Sequence, residues 1–415
     1  MHLALPLSLG AAAVANAAIS RNILYFDQWH TTELPPKNLT GAPAGKYKPF
    51  QSIKQVRQLF DHELNVCLSI GGWGDNSGFD EGVKTSSSRE RFAKNIASTV
   101  DRLGFDCVDI DWEYPGGNGQ DYKQVPNCKK GNEIKAFPLL LKEIKNSIGS
   151  KELSIAVPGL ERDMIAYTSG ETPRINEFVD FVNVMTYDLM NRRDHHTTHH
   201  VSIEGAASAI KKYISLGFPA SKLVVGIPFY AKWFTTKNGY TCNQPIGCPT
   251  ELLEDDDDGS DTGKSGSMTF EAANFAERPA KLTTTPDNTC GAGTSFKCAE
   301  GSCCGGSGWC GSTPAHCGTG CHFAYGKCDG IDISSSFHQA LKNGYTDEEK
   351  GAQWYWDAKT RIFWSWETPE LIQKKISFLA DTYGIKSVMA WALAQDSNDW
   401  SHLKAMQKGF VGVNT

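Results

Sequence analysis

The chain has 415 residues, 40% hydrophobic and 21% charged, with 47 acidic against 41 basic side chains and a net charge of −6. That length holds one large domain and one or two small ones, and roughly 250 residues suffice for a (β/α)8 barrel. With no basic excess, nucleic acid is not an expected partner, whereas a neutral polysaccharide is compatible.

Residues 1–18, MHLALPLSLGAAAVANAA, read as a signal peptide. Leu3 to Val14 is apolar and Ala15-Asn16-Ala17 is a small-x-small cleavage site, although only His2 stands where a charged start is usual. No other segment reaches the length of a membrane span. Thirteen Cys, eight in one short window, also point to an oxidising compartment, so the protein is expected to be secreted and extracellular. Asn38-Leu39-Thr40 is a glycosylation acceptor. Ile23 to Trp29 is β-branched and aromatic and predicts a first strand, with Trp29 at its end as a weak cleft candidate. Val66 to Ile70 predicts another, ending in Gly71-Gly72-Trp73. Residues 30–55 between them are rich in Pro and Gly and carry no apolar run, so no strand is predicted there. Phe92, Ile96, Val100 and Leu103 share one stripe of a helix over 88–103.

Residues 104–115, GFDCVDIDWEYP, come next. Read as a strand, they put Asp109, Asp111 and Glu113 on one face and Val108, Ile110 and Trp112 on the other. Asp109 and Glu113 are then about 13 Å apart. Folding alone gives no reason to gather three carboxylates on one face, since they repel one another and lose solvation if buried. Such crowding raises the pKa of at least one of them, as a general acid requires.

The spacing Asp106-x-x-Asp109-x-Asp111-x-Glu113, followed by Tyr114-Pro115, resembles the signature of the family-18 glycoside hydrolases, the chitinases. Cys107 departs from the Gly usual at its position. Ser69-Ile70-Gly71-Gly72-Trp73 resembles the end of the family's third barrel strand, and the family's second strand, usually ending in Ala-Phe, is missing here.

Further on, residues 116–132 read as a polar loop, and Phe137, Leu141, Ile144 and Ile148 mark a helix. Strands are predicted over 153–157, 181–187, 223–228 and 387–393, and helices over 203–216 and 371–383. The last helix carries Leu371, Lys375, Phe378, Leu379 and Tyr383 on its inner stripe, with the Lys stem lying along the edge. Alternating strands and helices argue for a parallel sheet. The resemblance makes it an α/β fold of the TIM (β/α)8 type, in residues 19–230 and 366–415. About 130 residues between strands seven and eight are too many for a loop; by resemblance they form an α+β insertion over 231–365, which walls one side of the cleft. Cys242 and Cys248 can close a small loop there, and Asp255 to Asp258 reads as a solvated loop rather than a calcium site.

Within the insertion, residues 286–328 carry Cys290, Cys298, Cys303, Cys304, Cys310, Cys317, Cys321 and Cys328 in a Gly-rich stretch almost free of aliphatic residues. Such a segment depends on disulfides, and spacing alone fixes none of the 105 pairings. The pattern resembles the hevein-like chitin-binding domain. Aligned on its cysteines, the sugar-holding positions are Gly305, Ser307, Trp309 and His316, of which Trp309 keeps an aromatic platform and His316 can stack.

The resemblance implies a reaction. Chitin is a β-1,4 polymer of N-acetylglucosamine, and this family uses the substrate's own acetamido oxygen as nucleophile. Glu113 is then the acid and later the base, Asp111 holds the acetamido group, and Asp109 tunes Asp111. Tyr187 donates to the acetamido oxygen, and Met185, Asp188, Tyr230, Trp73 and Trp391 contact the sugars. No cofactor or metal is expected; His195, His196, His199 and His200 read as a surface loop at the cleft rim. The expected partners are chitin and its oligosaccharides, and the chain is expected to be a monomer. The competing readings are an inactive chitin-binding lectin and an endoglycosidase acting on N-glycans. Lectin-like relatives usually lack the acid that Glu113 supplies, and the endoglycosidases usually lack the long insert.

Overall fold

The computed structural model describes residues 20–26, 32–34, 45–47, 51–60, 63–271, 274, 280–291, 294–305, 308–318 and 320–411. The leader over 1–18, Trp29, the acceptor at Asn38 and Ser307 lie outside the described residues.

Seven strands form one parallel sheet, in the spatial order Arg21–Leu24, Ser387–Trp391, Leu223–Pro228, Phe181–Met185, Glu152–Pro158, Cys107–Asp111 and Cys67–Gly71. This is the curled sheet of the TIM type, with helices packed on its outer side. Helix Ser86–Leu103 begins at Thr85, whose side chain accepts from the Ser88 amide, and ends at left-handed Gly104. It buries Ala93, Ile96 and Val100. Helix Asn127–Ile148 buries Phe137, Leu140, Leu141, Ile144 and Ile148, so its inner stripe is the predicted one, and it begins inside the stretch 116–132 that reads as a loop. Burial of these stripes against the apolar sheet face is the main stabilising contribution.

Among the described residues no strand joins Arg21–Leu24 to Cys67–Gly71. Thr32–Leu34 and Gly45–Tyr47 pair with each other instead, as a short antiparallel hairpin. The Cys67–Gly71 edge is tied by a disulfide between Cys67 and Cys107, whose Cα atoms are 4.4 Å apart in register-matched positions of neighbouring strands. Cys107, the departure from the family pattern, is therefore half of a covalent tie at the sheet edge. An unpaired edge exposes amide and carbonyl groups, and this tie limits its fraying.

One sequence expectation fails in helix Pro369–Tyr383. Lys375 does not lie along an edge; it is fully buried, its Nζ 2.6 Å from Glu367 Oε2. Phe378 is exposed instead. The buried Glu367, just after strand Ile362–Trp366, gives the Lys375 ammonium a partner inside the protein.

A second, antiparallel sheet follows the order Ser265–Thr269, Tyr230–Thr235, Ile362–Trp366, Ala352–Asp357 and Tyr345–Asp347. Helix Ile333–Asn343 packs on it through Phe337, against Trp364 and Phe270. The cysteine-rich stretch lies between strands Ser265–Thr269 and Tyr345–Asp347 in the chain. Its pairings are Cys290–Cys304, Cys298–Cys310, Cys303–Cys317 and Cys321–Cys328, and a separate bridge joins Cys242 to Cys248. Cysteines make up most of the buried core there.

Candidate active site

The acidic strand ends at Asp111, and the cleft opens beyond its carboxyl end. Gly71, at φ +109°, lies against it; a Cβ there would fall 2.1 Å from the Asp111 carbonyl. Only glycine fits this approach. The Gly72 amide then donates to the same carbonyl at 2.8 Å, which fixes the backbone that carries Asp111.

Asp109 is buried beneath the cleft. It accepts from Tyr25 (2.7 Å) and Ser69 (2.9 Å) on one oxygen, and from Ser154 (2.6 Å) and Asn183 (3.1 Å) on the other. Ser69 and Ser154 are its register partners in the two neighbouring strands. Four donors hold both of its oxygens in place.

Asp111 is buried too, and its Oδ1 has no hydrogen-bond partner among the described residues. Its pKa is raised well above the ordinary value, first by burial, then by the charges of Glu113 and Asp109. Glu113 stands beyond the strand end rather than on it, its carbonyl held by Asn76 Nδ2 at 2.8 Å. Burial pushes its pKa up to about 7, with Asp188 and Asp163 adding to the rise and a hydrogen bond with Tyr114 opposing it.

Tyr187 is buried with its hydroxyl 3.8 Å from the Met389 sulfur, a weak acceptor that leaves the donor largely unspent. Asp188, at φ 55°, turns its carboxylate to Tyr230 Oη (2.9 Å) and Lys232 Nζ (3.1 Å). Burial pulls the Asp188 pKa upward, but the Lys232 ammonium and the His200 and Tyr230 contacts outweigh it and hold the carboxyl well below the usual range.

The histidine quartet divides. His195 and His196 are exposed, but His199 and His200 are buried, which corrects their reading as a surface loop. His199 Nε2 is 2.9 Å from Asp347. His200 lies 5.5 Å from the Tyr230 ring and 3.7 Å from Asp188, and burial lowers its pKa to about 4 against the pull of Asp188. Tertiary packing, invisible in the local polar sequence, draws this half of the loop inward. Asp106 stands apart from the other acids, paired with Arg57 at 2.6 Å and accepting from the Val66 amide.

Asp111, Glu113, Met185, Tyr187, Asp188, Tyr230, Trp73 and Trp391 all line one cleft of about 410 Å³. Trp391 lies against Tyr25, ring centroids 5.3 Å apart, and Trp73 is 46% exposed. The sequence reading missed Tyr25, Met389 and Lys232 in this cleft, and Ser69, Ser154 and Asn183 beneath it. The last three were detectable as lone polar residues inside otherwise apolar strands. In the cysteine-rich stretch Trp309 is 52% exposed, and His316 is half-buried with its Nδ1 2.7 Å from Thr313.

The arrangement gathers two buried acids whose pKa values are raised, one of them with an oxygen unpartnered among the described residues, an unspent phenol donor and aromatic walls, a set suited to cleaving a sugar linkage. Chitinase A1 of Niallia circulans is 29% identical over 212 residues, 46% of this chain and 29% of that protein. Chitotriosidase-1 of Mus musculus is 30% identical over 219 residues, 49% of this chain and 45% of that protein. The match thus spans less than half the length of these curated relatives. Among solved structures, a chitinase from Rhizomucor miehei superposes with a TM-score of 0.60 at 20% identity, covering 94% of both chains. A family-18 chitinase from Cycas revoluta in complex with (GlcNAc)3 does so with 0.56 at 18%, covering 86% of this chain and 83% of the other. The family model described as glycosyl hydrolases family 18 matches residues 21–396, and the chain belongs to that family.

Proposed function

We propose that this chain is a secreted chitinase that hydrolyses β-1,4 N-acetylglucosamine linkages with retention of anomeric configuration. The observation that carries the reading is Glu113, a cleft carboxyl whose pKa burial raises to about 7, beside an Asp111 oxygen that no group among the described residues satisfies. Glu113 protonates the bridging oxygen as the substrate's acetamido oxygen attacks the anomeric carbon. The bond to the leaving sugar breaks and a cyclic oxazolinium ion forms. Asp111 Oδ1 accepts the acetamido N–H and balances the positive charge, and Tyr187 donates to the acetamido oxygen and aligns it. Asp109, held in place by four donors, lies beneath Asp111 and adds to the field that acts on it. Water, deprotonated by the Glu113 carboxylate, then opens the ring, which restores the acid. Trp391 forms the floor beneath the distorted sugar.

The pH dependence tests this reading. A general acid works only while protonated, so kcat/KM on a soluble chitooligosaccharide falls as pH rises through about 7, by about tenfold per unit beyond it. A basic limb near the ordinary carboxylate value would contradict the assignment of Glu113.

The cysteine-rich stretch, with Trp309 exposed, serves as an anchor on the insoluble polymer. Trp309→Ala lowers retention on insoluble chitin by about tenfold or more, as loss of a stacking platform does, with little change on soluble oligosaccharides. Equal retention of the two proteins would show that the stretch does not hold chitin.

A further inference from the structure

Glu113 stands past the last register-matched pair of its strand, which is Gly71 with Asp111. No sheet ladder therefore fixes the peptide that carries the acid. Among the described residues one group donates to the Glu113 carbonyl: Asn76 Nδ2, at 2.8 Å. The next contacts along the chain hold the turn that follows. There the Gly116 amide donates to Glu133 (2.9 Å) and the Gly117 amide to the Tyr114 carbonyl (3.2 Å).

Asn76 is itself held in place. It is buried, and its carbonyl accepts from the Phe79 and Asp80 amides (2.9 and 3.0 Å) at the start of helix Ser77–Gly82. Phe79 in that helix is buried and stacks on Trp112, ring centroids 5.3 Å apart. Trp112 precedes Glu113 in the chain, so the donor and the acid share one packed frame. Asn76 Oδ1 is buried, with no partner among the described residues. Turning the amide over would set that oxygen against the Glu113 carbonyl, so the NH2 group faces it. The space around the contact is also filled. A Cβ on Gly119 would fall 2.4 Å from the Glu113 carbonyl oxygen and 3.2 Å from Asn76 Nδ2.

We propose that Asn76 is a positioning residue: by holding the Glu113 carbonyl, it aims the Glu113 carboxyl at the bridging oxygen of the substrate. The inference rests on the reading of Glu113 as the general acid. Asn76 is not among the described residues that line the cleft, and it acts through Glu113. A reacting group misplaced by about 1 Å costs about a hundredfold in rate, so one lost backbone contact is enough to be measured.

The experiment compares kcat/KM of the wild-type chain and Asn76→Ala on tetra-N-acetylchitotetraose and on a dinitrophenyl chitobioside. This ratio reports the step in which the bond to the leaving group breaks. A sugar leaving group needs the acid there, and dinitrophenolate hardly does. Asn76→Ala lowers kcat/KM at least about tenfold on the tetrasaccharide and by no more than about threefold on the aryl substrate. In a Glu113→Gln background the same change lowers the tetrasaccharide rate by less than about twofold, because the acid it serves is gone. An unchanged tetrasaccharide rate, equal losses on the two substrates, or full additivity with Glu113→Gln overturns the proposal. Should Asn76→Ala fail to melt cooperatively, Gly119→Ala takes its place, since it crowds the same carbonyl away from Asn76 without removing a donor. The same three outcomes then decide, and failure of both variants to fold overturns the proposal, the contact being one that folding needs. Wild-type turnover by Glu113→Gln alone would instead contradict the reading of the acid on which the inference rests.

Discussion

Glu113→Gln lowers turnover of chitooligosaccharides by at least about a thousandfold, while their dissociation constant stays within a few-fold of the wild-type value. The amide keeps the shape and the hydrogen-bonding reach of the acid but has no proton to give. Burial, which pushes the wild-type carboxyl up to about 7, has no such effect on an amide. The loss falls on kcat because the proton moves only in the transition state. It is smaller on an aryl glycoside with a good leaving group, since that bond breaks with little protonation. The same residue is needed as base for the second step, so aryl substrates show a fast first turnover followed by a slow steady rate. Turnover within tenfold of wild type on natural oligosaccharides would show that another group supplies the proton.

Asp111→Asn lowers kcat by about a hundredfold to a thousandfold, the range seen when a preorganised electrostatic partner of a transition state is removed. Asp111 Oδ1 is buried and has no partner among the described residues, and burial first, then Glu113 and Asp109, disfavour its charge. An ion of opposite sign relieves that penalty, and the oxazolinium ion is one. The amide can still orient the acetamido group, so KM changes little. The variant also removes one of the charges that crowd the cleft floor. A loss confined to KM would assign Asp111 to uniform binding rather than to the developing charge.

Much of this was legible because the relevant patterns are local. Alternation alone put Asp109 and Asp111 on one face of a strand, and the same strand delivers both toward the cleft. Met185 and Trp391 end their strands and Tyr187 and Asp188 follow one, and strand ends in a parallel sheet of this type share one rim. What escaped was set by tertiary contact. Lys375 reads as a helix-edge lysine until Glu367, eight residues earlier, is placed against it. His200 reads as a loop residue until Asp188 and Tyr230 close over it. The tie between Cys67 and Cys107 needs the strand order and register, which put those two residues side by side. The acids at Asp256 to Asp258 are exposed, as local reading has them, but the contacts of that segment's backbone with Lys123 and Gln124 appear only in three dimensions.

The stereochemistry of the first product tests the central claim most directly. Proton NMR of a fresh digest of a soluble chitooligosaccharide, recorded before the freed end mutarotates, reads its anomeric configuration. Attack by the substrate's own acetamido oxygen followed by water gives two inversions, so the newborn reducing end is β. A newborn α end would mean a single displacement by water, and would contradict the proposed roles of Glu113, Asp111 and Tyr187.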